Sequence, residues 1–298
     1  MALILTGIMA AVPAPCIAQP AAPEGPTQLV REVVYNELQD HDRHNYWRYW
    51  VEHHAPDGIR VEEEVETASG PIARLILANG HRLDAQTEQQ EMTRLRQLEN
   101  SPAEQASRRR AFEDDEKQVK RILVLLPDAF VFQDAGEESG CRHFRYAPNP
   151  NYSAHTVEAR VFHQLSGDLW IDIRMKRMKR LEGRLNDNVE FGMGLLGRVN
   201  KGGWFRMVRT QVSANEWKTE RLEVHMSGRA LMFKTLARDE NEVRGGFEAV
   251  PASMSVKQGM QVLQQSVTER EAALAQGRIS PAALVMQRRE TPRQAFRQ

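Results

Sequence analysis

Cysteine is almost missing from this chain. Among 298 residues there are two, Cys16 and Cys141. Cys16 falls in an apolar N-terminal stretch; without that stretch Cys141 has no intrachain partner, so no disulfide framework holds the domain together. Stability must come from a packed core, which a chain of this length can build. A charge surplus is missing too: Lys plus Arg equals Asp plus Glu at 40 each. Proteins that neutralise phosphates usually carry excess base, so nucleic acid is excluded as a partner. Beyond the first 18 residues no run reaches about 18 consecutive apolar residues, so no transmembrane segment is expected in the mature chain.

Signature motifs of catalysis are also lacking. There is no HExxH, no set of Cys and His pairs at zinc-ligand spacing, no G-x-S-x-G and no P-loop, so neither a zinc site, nor a hydrolase elbow, nor a cofactor is legible. Gly192, Gly194 and Gly197 spell G-x-G-x-x-G, but strand-like sequence follows where a dinucleotide site needs a helix. Cys141 and His143 form an i, i+2 pair on one strand face, and an ordinary strand pair is the simpler reading than an activated thiol. The chain is expected not to be an enzyme.

What is present begins with residues 1–18, which carry no charge and open MALILTGIMAAV. They read as a signal peptide with CIA before the cleavage site, followed by the linker QPAAPEGP at 19–26. A secreted protein is expected. Lipidation of Cys16 is the alternative, and Pro15 fits that signal poorly.

The segment 27–44 has Leu29, Val30, Val33, Val34 and Leu38 at helical spacing, with Thr27 as the expected cap. Next, HDRHNYWRYWVEHH packs four of nine histidines into a few residues. Strand alternation sends Trp47, Tyr49, Val51 and His53 to one face and Arg48, Trp50, Glu52 and His54 to the other. Adjacent imidazoles therefore diverge, and the segment reads as sheet rather than chelate. APDG at 55–58 and Asn79-Gly80 are hairpin turns.

Residues 86–126 form a helical insertion. Met92, Leu95 and Leu98 make one stripe, and Ser101-Pro102-Ala103-Glu104 starts a second helix expected to stop at Pro127 with a buried apolar end from Val119 to Leu126. Strands then recur to Phe247: CRHFRYAP, HTVEARVFHQ, DLWIDIRM, KRLEGRL, VEFGMGLLGRVN, GGWFRMVRTQV, WKTERLEVHM and ALMFKTLAR. Turns are expected at Ser166-Gly167-Asp168, 186–188, 200–203, 214–215 and 227–228. RMKRMKR (Arg174–Arg180) reads as a solvated hairpin tip, or alternatively as a contact for anionic head groups. Residues 251–298 add a C-terminal helix and a polar tail.

The fold class expected is α+β: a large curved antiparallel sheet, a half-barrel, wrapping helices. With its N-terminal helix, early hairpins, and the segments GDLWIDIRMKRMKRLEGRL and KGGWFRMVRTQV, residues 27–250 resemble the LolA-like superfamily of periplasmic lipoprotein carriers and RseB-type regulators. The resemblance implies a periplasmic location and an apolar cavity for an acyl chain, with a lipoprotein or another envelope protein as partner. Candidate lining residues by strand parity are Trp47, Tyr49, Leu169, Ile171, Leu222 and Val224. Two other readings remain: an interaction or stress-signalling module using the charged helices, and a metal-dependent envelope hydrolase drawing on the histidines.

Overall fold

The structure is a computed structural model that describes residues 25–42, 45–191, 197–230 and 238–275. The signal-peptide stretch, His44, most of the FGMGLLG string and the polar tail lie outside the described residues. The first helix, α1 (Pro26–Asp42), leads into β1 (Tyr46–Ala55), β2 (Gly58–Val65), β3 (Ile72–Ala78) and β4 (His81–Arg82). Helices α2 (Ala85–Asn100) and α3 (Pro102–Ala129) follow, then β5 (Phe130–Glu138), β6 (Cys141–Pro148) and the short α4 (Val157–Phe162). The rest is β7 (Leu165–Asp172), β8 (Arg177–Leu185), β9 (Val189–Phe191), β10 (Gly197–Val199), β11 (Trp204–Gln211), β12 (Trp217–Met226), β13 (Gly228–Ala230), β14 (Arg238–Val250) and α5 (Val256–Ala275).

Eleven strands form one antiparallel sheet in the order β4-β3-β2-β1-β14-β12-β11-β8-β7-β6-β5, while β13-β10-β9 make a small second sheet. The large sheet is open, with β4 and β5 as its edges. The fold is therefore the α+β half-barrel expected. The join of β14 against β1 brings the last described strand beside the first.

The helices divide between the two faces of the sheet. The inner face carries Phe144, Leu169, Ile171, Leu181 and Leu185, which pack with Leu29, Val30 and Val33 of α1 and Leu126 and Ala129 of α3. At the other end of the sheet the opposite face is the covered one. There Val65 and Ile72 pack with Leu98 of α2 and Val256 and Leu263 of α5, and the Ser266 hydroxyl donates to buried Glu63. Helices wrapped only inside the curve were expected; α2 and α5 lie outside it. The insertion and the C-terminal helix thus belong to the core. Wherever one face is buried, side-chain alternation fixes strand register, and here the buried face changes along the sheet.

Several local expectations hold. Ser101 caps α3, its hydroxyl accepting from Glu104 N, with Pro102 in the first turn. Asn79 and Gly80, both at positive φ, turn β3 into β4. Others are corrected. Helix α1 begins at Pro26, and the Gly25 carbonyl accepts from Gln28 and Leu29, so Thr27 lies inside the helix. Helix α3 runs through Pro127 to Ala129: the proline forgoes one hydrogen bond, to the Leu123 carbonyl, in a turn whose Leu126 and Ala129 are anchored in the main core. Within its apolar end Leu126 is buried, whereas Val119 and Val124 are exposed.

HTVEARVFHQ is not a strand. Thr156 caps α4 by accepting from Ala159 N, and Phe162 meets Phe130 edge-on at 4.9 Å. Ser166-Gly167-Asp168 is not a turn but the start of β7. Gly167 pairs with Gly183, and a Cβ at 167 would lie 2.0 Å from the Glu182 carbonyl oxygen. The glycine serves close strand approach rather than reversal.

The basic run is only partly a solvated tip. Residues 173–176 make the turn, but Arg177 and Met178 are buried. Arg177 donates to Glu37 and Asp40 of α1, and Arg209 of β11 also donates to Glu37. Burial pushes the Glu37 carboxyl up, but Arg209, Arg177 and the Met178 amide outweigh it and hold it below the usual carboxylate range.

Candidate functional site

Cross-strand pairing places Phe144, Leu169, Leu181, Met207, Leu222, Glu242, His53 and Arg60 in one row over eight strands of the inner face. From β6 to β12 the row is apolar; from β14 to β2 it is ionisable. The change coincides with the helix layer. Helices α1 and α3 seal the β6–β8 part, and the helices on β2 and β3 lie on the opposite face. Between the two, Met207, Leu222 and Val224 of β11 and β12 are only half buried.

The six candidate lining residues do share this face, as parity dictates, but they fall into three groups. Leu169 and Ile171 are both 0% exposed inside the main core, so they contribute packing beneath the helices rather than an accessible wall. Trp47 and Tyr49 sit with Val51 in a separate buried cluster, against Val212 and Phe247. Leu222 and Val224 alone keep partial exposure. On the opposite face, Trp50 packs against Gly245 and Gly246 of β14: a Cβ at either glycine would come within 3.0 Å of its indole.

At the ionisable end of the row, one ligand atom each from His53, Glu62 and Glu64 lies within 4.8 Å of the others. His53 is held from two sides. Its Nδ1 is 3.2 Å from Glu242 Oε1, and its Nε2 is 3.7 Å from Glu62 Oε2. Arg244 donates to Glu242 at 2.6 Å. The bond to Glu242, aided by Glu62 and Glu64, raises the imidazole pKa against the effect of burial. Burial pushes the Glu64 carboxyl up, with Glu62 and Glu242 adding to it, and Arg244 and the Tyr49 hydroxyl partly oppose this. The patch is thus a half-buried concentration of acid around one imidazole.

Strand alternation correctly separates His53 from His54, whose Nε2 meets Glu52 at 2.6 Å on the other face. The sequence reading missed Glu62 and Glu64. Their signal was the two-residue turn at Pro56-Asp57, which pairs Ala55 with Gly58 and so sets Val51 opposite Glu62 and Tyr49 opposite Glu64.

Three other histidines are engaged elsewhere. His143 stacks on Trp170 at 4.5 Å and meets Asp168 at 2.7 Å. His163 meets the Asn149 carbonyl at 2.9 Å, and His225 stacks on Trp204. Burial raises the Cys141 thiol pKa, the opposite of what a nucleophile needs. Among the described residues no helix is long and apolar enough to cross a membrane. No family model, curated protein or solved structure gives a match to this chain.

Proposed function

We propose that the protein binds an apolar ligand, such as an acyl chain, against the inner face of its sheet and acts by burial rather than by chemistry. The observation that carries this reading is the half-buried apolar strip of Met207, Leu222 and Val224, which continues the sealed core row beyond the helices. Each methylene buried there is worth about 0.8 kcal/mol, so ten would supply about 8 kcal/mol before the entropy of association is subtracted. No polar chemistry is needed for such binding.

An open eleven-stranded antiparallel sheet with α1 and α3 on its inner face also supports kinship with the LolA-like half-barrels. On this reading the mature protein works in the periplasm, and its cargo is a lipid or the acyl chains of a lipoprotein. Native mass spectrometry of the full chain purified from an envelope fraction tests it. A co-purifying lipid that a fluorescent fatty acid displaces is the expected result. A ligand-free mass together with no binding of the fluorescent fatty acid overturns the reading.

A further inference from the structure

We propose that His53, Glu62 and Glu64 form a binding site for a divalent transition-metal ion, with Glu242 orienting the imidazole from behind. The site stands apart from the apolar strip and does not depend on the ligand reading.

The two-residue hairpin turn fixes the donor geometry. It sets the β1–β2 register, which puts His53 on the same face as Glu62 and Glu64, with Glu62 the nearer in register. In a tetrahedral shell two donors each about 2.1 Å from a zinc-sized ion stand about 3.4 Å apart. The observed limit of 4.8 Å therefore asks the three side chains to draw in by up to about 1.4 Å, which rotations of the half-buried glutamate side chains can supply.

The two imidazole nitrogens of His53 face different partners. Nδ1 points at Glu242, which Arg244 holds in place. When Nδ1–H donates to that carboxylate, Nε2 carries the lone pair and faces Glu62. A carboxylate behind a histidine is the usual support of a metal-bound imidazole, fixing its tautomer and raising its basicity. His54, one residue away, has no such arrangement and pairs with Glu52 on the far face.

The charge of the patch also favours a cation. Glu62, Glu64, Glu240 and Glu242 share the inner face here with His53 and Arg244. A divalent cation would offset the repulsion among these four carboxylates. One imidazole with two carboxylates suits zinc, manganese, iron(II) or cobalt, and differs from both the all-oxygen shell of calcium and a thiolate site. Three protein donors leave coordination positions open for water or a small ligand.

The test uses chelator-treated full-length protein titrated with Zn²⁺ by calorimetry and with Co²⁺ by visible absorption. One ion per chain is expected, with a cobalt ligand-field band. His53→Ala and Glu62→Gln should each weaken binding at least about tenfold and abolish the band, and Glu242→Gln should weaken it about 10- to 100-fold. His54→Ala should leave binding unchanged. Circular dichroism confirms folding, and the isosteric Glu62→Gln provides the test if His53→Ala does not fold. No stoichiometric zinc, or zinc binding that survives both Glu62→Gln and His53→Ala, overturns the proposal and leaves His53 as an ion-pair partner of Glu242 only.

Discussion

Arg177 and Glu37 lie 140 positions apart in the chain and meet with Nη2 and Oε2 3.0 Å apart, their side chains 7% and 3% exposed. The pair joins the start of β8 to the last turns of α1. Asp40 accepts from the same guanidinium and also from Trp217 N, and Arg209 completes the group. Helix α1 is thus held over the inner face by charge as well as by its apolar stripe.

Removing one member leaves the others buried without their counter-charge, which typically costs about 3–5 kcal/mol. Glu37→Ala should lower stability by that order in urea unfolding. Asp128→Ala removes the exposed partner of Arg31 and should cost at most about 1 kcal/mol. Equal losses for the two variants would refute the special role of the buried pair.

Acid should weaken the clasp. The Glu37 pKa is lowered in the fold from its ordinary 4.5, so its contribution is full above 4.5 and disappears as pH falls through the folded value. Urea midpoints measured from pH 6 downward should drop more steeply in the wild type than in Glu37→Gln. Parallel curves would count against it.

His53 predicts the opposite sign. Its pKa is raised above the ordinary 6.5, so the stability from its pairing is complete below 6.5 and is lost as pH rises above it. In metal-free protein the wild type should lose thermal stability as pH rises above 6.5, and His53→Asn should remove that component. An NMR titration of the imidazole at or below 6.5 would contradict this.

Position on the shared row should separate packing from binding. Leu169 is fully buried, so Leu169→Ala should cost about 2–5 kcal/mol. Leu222 is half buried beside the helix layer. Leu222→Ser should cost less stability and weaken fluorescent fatty-acid binding several-fold, read by fluorescence titration.

Helix α5 starts with a reciprocal cap. The Ser255 hydroxyl accepts from Gln258 N, and Gln258 Oε1 accepts from Ser255 N. Ser255→Ala should cost about 1 kcal/mol. Because α5 packs against β2 and β3, hydrogen exchange should show the loss propagating into those strands.

Much of the fold was legible because its signals are local. The alternation of DLWIDIRM and WKTERLEVHM, the break at Ser101-Pro102 and the Asn79-Gly80 turn each depend on a few neighbouring residues. HTVEARVFHQ was misread because Val157, Ala159 and Val161 alternate as in a strand, and the Thr156 cap decided otherwise. Gly167 was misread because a glycine that lets two strands approach looks, in one dimension, like one that turns the chain.

The sequence by itself determined the class of fold, the parity of each strand and the divergence of His53 from His54, since side-chain direction follows from backbone period alone. Tertiary structure decided which face each half of the sheet buries, that Arg177 of a basic run enters the core, and that two glutamates close on His53. Those outcomes depend on pairing and packing between residues distant along the chain, such as β14 against β1 and α1 against β8. Local periodicity sets only how a strand alternates, whereas the contacts it makes across the sheet set what each side chain meets.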